Sequence, residues 1–344
     1  MDSIAPLDDL RRLSARIGKN ILLVQGGGGN TSVKIDDVLW VKASGAWLAD
    51  AEARDIFVPV QLSGARRAIA AGSDHMPVVE SFTGKLRASI ETSLHALMPH
   101  RVIVHVHAVN TVAWAVRTDG RGELAERLNG LAWRHLPYHR PGLPLCQAVA
   151  QEMASERMDV LILGNHGLLV GAEDCDAAEA LLEDVERRLA VALRAAPKAN
   201  APILRRLCSG TEYRPADTDL AHGLATSECN LELVTAGSLY PDHVVFLGPA
   251  LPKIKAGETL DAAMARETDK GLAPPVALLV PDVGAIIRID ASEGAKVMLA
   301  CLGLVVERLP EQATIAYLPA TEERMLLNWN AEHYRKQMTA SRAG

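Results

Sequence analysis

The chain has 344 residues, of which 49% are hydrophobic, 23% charged and 4% aromatic. That is ample for a sizeable core resting on Ala, Val, Leu and Ile, and it excludes a disordered or low-complexity scaffold. Lys and Arg number 36 against 42 Asp and Glu, a net charge of −6, so no basic field exists to attract a phosphate backbone and nucleic acid is not an expected partner.

Cys146, Cys175, Cys208, Cys229 and Cys301 are odd in number and never form a CxxC pair. Neither a disulfide framework nor a thiolate zinc site is expected, and a reducing cytoplasm fits. The stretch MDSIAPLDDLRRLSARIG carries acids early and lacks a continuous apolar core. No run approaches the ~20 apolar residues that span a bilayer, so no membrane partner is expected.

In chain order, Leu7, Leu10, Leu13 and Ile17 share one face of a helix expected from about 7 to 18. ILLVQ, residues 21–25, reads as a short strand running into Gly26, Gly27, Gly28, Gly29 and Asn30. A strand before a glycine loop invites a nucleotide-binding reading, but such a loop needs a helix next. TSVKIDDVLWVK follows instead, alternating as strands do and without GK[ST], so both nucleotide motifs are rejected.

SFTGKLRASIETSLHALMP predicts a loop and then a helix stopping before Pro99, and RVIVHVHAV a buried β-branched strand. MDVLILGNHGLLVGAED predicts two short strands bent at Asn165, His166 and Gly167, and DAAEALLEDVERRLAVALRAA an amphipathic helix. Residues 197–219, with three prolines and mixed charge, are the expected linker, so the chain is divided into domains 1–208 and 209–344.

From Val276 the chain repeats the order strand, bend ending in Gly, strand, long helix. Aligning Gly284 with Gly167 sets Val283 opposite His166. This is the order of a degenerate internal repeat, and equally of strand-turn-helix units in any α/β protein. LLNWNAEHYRKQM predicts a closing amphipathic helix.

His105 and His107 stand two apart in a predicted strand, so both imidazoles project from one face. His166, at a bend after another apolar strand, can be brought beside them. Three neutral imidazoles with an open position are the donor set of a catalytic zinc. Glu91 precedes them on the expected helix, with His95 at i+4; it is either a solvated helical glutamate or a general base. The Gly26–Asn30 loop, Ser44 with Gly45, and Ser89 offer donors suited to a phosphate, or else turn and cap chemistry.

Taken together, these motifs resemble the class II aldolase/adducin family over about residues 7–195. GGGGNTSVK is similar to its GN(T/V)S loop, KASG to its TP(S/T)G segment, SIETSLH to its glutamate motif, HVHA to its histidine pair and GNHG to its third-histidine motif. The resemblance implies an α/β/α sandwich around a mainly antiparallel sheet, assembled as a homo-tetramer with sites between subunits; the chain departs from it in about 130 further C-terminal residues, expected to form a smaller α/β domain without metal ligands. It implies Zn²⁺ on His105, His107 and His166, and Glu91 as the acid/base residue. It further implies substrate phosphate contacts at Gly29, Asn30, Ser44, Gly45 and Ser89. The implied chemistry is retro-aldol cleavage of a phosphorylated ketose through a zinc-stabilised enediolate, or decarboxylation, epimerisation or dehydration of a related sugar phosphate.

VKASGAWLA, SIETSLHALMPH, YHRPGLPL and LYPDHVV are most similar to the aldolase portion of bifunctional rhamnulose-1-phosphate aldolase/alcohol dehydrogenase proteins. Neither GxxxGxG nor YxxxK follows, so a dehydrogenase half is not expected. Lys42 stands where the family usually has Thr and is expected to point to solvent; His139 and Arg140 are candidates for the far end of a substrate. A non-catalytic, adducin-like scaffold is the competing reading. The intact histidines and Glu91 speak against it for the first domain.

Overall fold

The structure is a computed structural model and describes residues 5–154, 156–269 and 273–340. The chain divides into two compact units, one of residues 5–115, 120–190 and 337–340, the other of residues 116–119 and 191–336. Residues 1–4 of the N-terminal stretch lie outside the described residues. No helix among the described residues is long and apolar enough to cross a membrane.

The first unit is built on seven strands: β1 (Asn30–Ile35), β2 (Val38–Lys42), β3 (Phe57–Gln61), β4 (Val102–Val106), β5 (Trp133–Leu136), β6 (Val160–Leu163) and β7 (Gly167–Ala172). Their order in the sheet is β3-β2-β1-β4-β7-β6-β5. Every neighbouring pair is antiparallel except β5 with β6. Because β-strand side chains alternate, each central strand feeds two cores. Ile103 and Leu169 pack with Leu94, Met98, Leu145 and Val149, from the helices Thr92–Leu97 and Leu143–Met153. On the other side, helices Ala5–Lys19, Val109–Ala115 and Cys175–Leu189 contact the sheet, with Ser14 hydrogen-bonded to Thr31 at 2.7 Å. This is the α/β/α sandwich that the family resemblance implies.

Four local expectations change. The helix expected over 176–196 ends at Leu189. Residues 21–25 form a turn, because the Asn20 side chain accepts from Leu22 N at 3.0 Å and its carbonyl from Leu23 N and Val24 N. Residues 197–219 are not a linker: they contain the helix Ala201–Cys208, capped by Asn200, and the strand β8 (Tyr213–Pro215). The closing helix is two helices, Ala320–Leu327 and Asn330–Ala340.

The second unit has a three-stranded antiparallel sheet, β8-β10-β9, with β9 Ala277–Val280 and β10 Gly284–Arg288. Its hairpin and the helix after it follow the same order as β6, β7 and the helix after them in the first unit. The bends join Leu163 to Gly167 and Val280 to Gly284, with positive φ at Asn165 (52°) and Asp282 (63°). His166 N donates to Leu163 O, and Val283 N to Val280 O, both at 3.0 Å. Capped helices follow, at Cys175–Leu189 and Glu293–Val306. β4 flanks β7 as β8 flanks β10, with His105 opposite Leu169 and Pro215 opposite Ile286. At the positions aligned with His105, His107 and His166 stand Pro215, Asp217 and Val283, so the second unit carries no histidine there.

Candidate active site

Strand register assembles the histidines. β4 places His105 opposite Asn30 of β1 on one side and Leu169 of β7 on the other, so His107 leaves the strand beside Gly167. A Cβ on Gly167 would lie 2.5 Å from Val106 O, a closeness only glycine permits. The left-handed Asn165 then turns His166 back over β4. Ring centroids of the three histidines stand 4.9–5.2 Å apart, and one nitrogen from each lies within 4.8 Å of the others. Among the described residues this is the one group of three or more His, Cys, Asp or Glu side chains placed to hold a metal ion.

The donor set fits a divalent cation. Nitrogens around a tetrahedral zinc stand about 3.4 Å apart, so these three, within 4.8 Å of one another, would draw together on a bound ion. His105 Nδ1 donates to Leu168 O at 2.9 Å, which leaves Nε2 as the free-electron-pair nitrogen facing the cluster.

Glu91 is not inside a helix on a solvated face. It occupies the N-cap of Thr92–Leu97 and is 4% exposed. Its Oε2 lies 3.3 Å from His105 Nε2 and its Oε1 3.4 Å from His166 Nε2. Asn30 Nδ2 donates to Glu91 Oε2 at 2.9 Å and to Ser89 Oγ at 3.2 Å. Ser89 Oγ also accepts from Glu91 N at 3.2 Å, so Ser89 holds the glutamate rather than capping the helix. Burial pushes the Glu91 carboxyl up, but His105, His166, His107 and the Asn30 amide outweigh it and hold the group at about 2. His95 turns away from Glu91 and pairs through Nδ1 with Ser32 Oγ at 2.7 Å. Burial, then the neighbouring His105, pushes it down to about 3.

Of the residues expected to meet phosphate, Gly29, Asn30 and Ser89 lie against His105 or Glu91. Gly29 (φ +60°) runs against β4, where a Cβ would sit 2.8 Å from His105 O. Ser44 N donates to Arg87 O at 2.9 Å and Ser89 N to Lys42 O at 3.2 Å, zipping the KASG turn to the segment bearing Ser89. Gly45 turns there with φ +76°. Lys42 corrects its expectation: it is 2% exposed and its Nζ donates to Gly27 O at 2.9 Å and Ala46 O at 2.7 Å. The sequence signal was a lysine closing an apolar strand, VLWVK. The Leu168 carbonyl, a backbone group, had no signal in residue type. His139 and Arg140 are half-buried in the loop before Leu143–Met153.

A family model described as "Class II Aldolase and Adducin N-terminal domain" matches residues 12–193. A protein of Bacillus subtilis (strain 168), described as uncharacterized oxidoreductase YuxG, is 30% identical over 186 residues, 48% of this chain and 26% of that protein. The chain thus spans about a quarter of that relative's length. Among solved structures, the N-terminal class II aldolase domain of a conserved protein from Thermoplasma acidophilum is 27% identical, covering 55% of this chain and 93% of that one, with a TM-score of 0.46. An L-fuculose 1-phosphate aldolase is 21% identical over 55% of this chain and 85% of its own, with a TM-score of 0.42. YgbL of Klebsiella pneumoniae, described as a putative aldolase/epimerase/decarboxylase, is 20% identical over 54% and 86%, with a TM-score of 0.41. With more than half its length matched by the family model, and with the ordered motifs folded into one site, the chain belongs to the class II aldolase and adducin family.

Proposed function

We propose that the protein is a divalent-metal-dependent lyase that cleaves a phosphorylated ketose. One observation carries the reading: three imidazoles and a buried carboxylate meet within contact distance of one another. His105, His107 and His166 are the proposed ligands, and Zn²⁺ is the ion that three neutral nitrogens suit. When bound, the ion supplies Lewis-acid stabilisation for the negative charge that develops on substrate oxygen as the carbon–carbon bond breaks, worth several kcal/mol.

The chain's own residues supply the rest. Glu91 is the acid/base residue, moving a proton at the substrate carbon next to the carbonyl. Its place is fixed by Asn30 and Ser89, which approach it through hydrogen bonds of 2.9 and 3.2 Å. Burial of the site excludes water and strengthens these contacts. Gly29, Asn30, Ser44, Gly45 and Ser89 are the proposed anion cradle, whose loops and hydroxyl and amide groups would meet a phosphate group. Residues 191–336 carry no comparable ligands at the repeated positions and serve as a structural unit.

The test is a panel of phosphorylated ketoses incubated with the metal-loaded protein, with released triose phosphate read by a coupled dehydrogenase. Cleavage of one member, abolished by chelation and restored by Zn²⁺, is the expected result. Release of CO₂ from an acid phosphate, or interconversion of epimers without cleavage, would replace the lyase reading with another reaction of the family. No turnover of any phosphorylated sugar would return the scaffold reading.

A further inference from the structure

Lys42 ends the strand β2, paired there with Phe57 of β3. Lys42 is 2% exposed and its side chain bridges two loops: Nζ donates to Gly27 O at 2.9 Å and to Ala46 O at 2.7 Å. Its backbone carbonyl accepts from Ser89 N at 3.2 Å. One residue thus ties together the Gly26–Asn30 loop, the KASG turn and the segment bearing Ser89, the three pieces of the cradle. Burying an ammonium among carbonyl dipoles is costly. The field it produces is felt most by an anion placed nearby at low dielectric. Threonine at this position would supply neither the reach nor the charge.

We propose that Lys42 is the positioning residue of the anion cradle, holding its loops in register and giving it a preference for a phosphate ester over an uncharged hydroxyl group. This inference rests on the sugar-phosphate reading given above. Phosphate oxygens bind to the loop donors, and Lys42 acts through the loops it fastens and through its charge.

Calorimetric titration of inorganic phosphate into the metal-loaded full chain tests it, with Lys42→Met and Lys42→Arg alongside. Lys42→Met should bind phosphate at least tenfold more weakly, about 1.4 kcal/mol, with metal content unchanged. The deficit should persist as salt is raised, because a charge buried beside its anion is screened little. Lys42→Arg should recover part of the affinity, and in turnover Lys42→Met should raise KM for the phosphorylated substrate more than it lowers kcat. Should Lys42→Met fail to fold, Lys42→Gln removes the charge while keeping a donor, and the same tenfold loss is expected. Phosphate affinity unchanged by removal of the charge overturns the inference and leaves the sugar-phosphate reading standing. Equal loss of phosphate and metal binding also overturns it, assigning Lys42 a general structural role. A parent chain that binds no phosphate ends the sugar-phosphate reading and the inference with it.

Discussion

Alanine at Gly167 should pull the histidine cluster apart without altering any imidazole. The new Cβ would stand 2.5 Å from Val106 O and 3.3 Å from His107 Cα and Cδ2, where ordinary contact begins at 3.4 Å. Backbone sits on both sides, so β4 and the bend must separate by most of an ångström. Metal coordination tolerates only about 0.2 Å. Overpacking of this kind costs ~1–3 kcal/mol, a melting shift of about 2–12 °C for a unit of this size. Displaced ligands should weaken the metal by ~10–100-fold. Gly171→Ala is the control within the same strand: its Cβ meets His100 Nδ1 at 2.4 Å, away from the cluster. It should lower the melting temperature and leave the metal affinity alone. Gly122→Ala, with open space around it, should do neither. Competition with a chromogenic zinc chelator reads affinity, and calorimetry of the metal-free protein reads stability. If Gly167→Ala holds zinc like the parent, or Gly171→Ala loses it equally, the register argument for the site is wrong.

Glu91→Gln should retain zinc and lose turnover by ~10²–10⁴-fold, whereas His105→Ala should lose zinc itself; metal analysis beside initial rates separates them, and full activity in either variant removes that assignment. His95 and His243, one in each unit, are buried and pushed by that burial from 6.5 down to about 3. The unfolded chain therefore binds more protons below about 6.5, and each histidine should subtract about 1.4 kcal/mol of stability per pH unit as the pH falls towards 3. Urea unfolding at pH 7, 6 and 5 checks this: His243→Gln should flatten the slope for the second unit, and an unchanged slope contradicts the assignment. Arg335 forms a two-pronged pair with buried Asp242 at 2.6 and 2.7 Å. Arg335→Met should cost ~3–5 kcal/mol by stranding that carboxylate, with partial recovery in the double variant with Asp242→Asn.

The parts of the site that alternation and bends determine were visible in the sequence. His105 and His107 share a face because a strand has period two, and His166 sits in a bend that Asn165 and Gly167 mark between two apolar strands. What the sequence withheld depends on partners far along the chain. Glu91 is buried because Asn30 and Ser89, reached through β1 and the KASG contact, close over it. Lys42 points inward because carbonyls of Gly27 and Ala46 wait for it, and no local pattern records that. Residues 21–25 have strand composition, but Asn20 supplies a competing local hydrogen bond. The prolines of 197–219 suggested a linker, yet Pro202 lies in the first turn of a helix, where its missing N–H costs nothing. The two hairpins turn alike, with left-handed residues at Asn165 and Asp282, as does the β1–β2 turn at Asp36.

Anomalous diffraction at the zinc edge from crystals of the zinc-loaded chain tests the central claim most directly. One peak per chain is predicted, about 2.1 Å from one nitrogen each of His105, His107 and His166, with the Glu91 carboxylate beside it. A peak bound elsewhere, or none at saturating zinc, contradicts it.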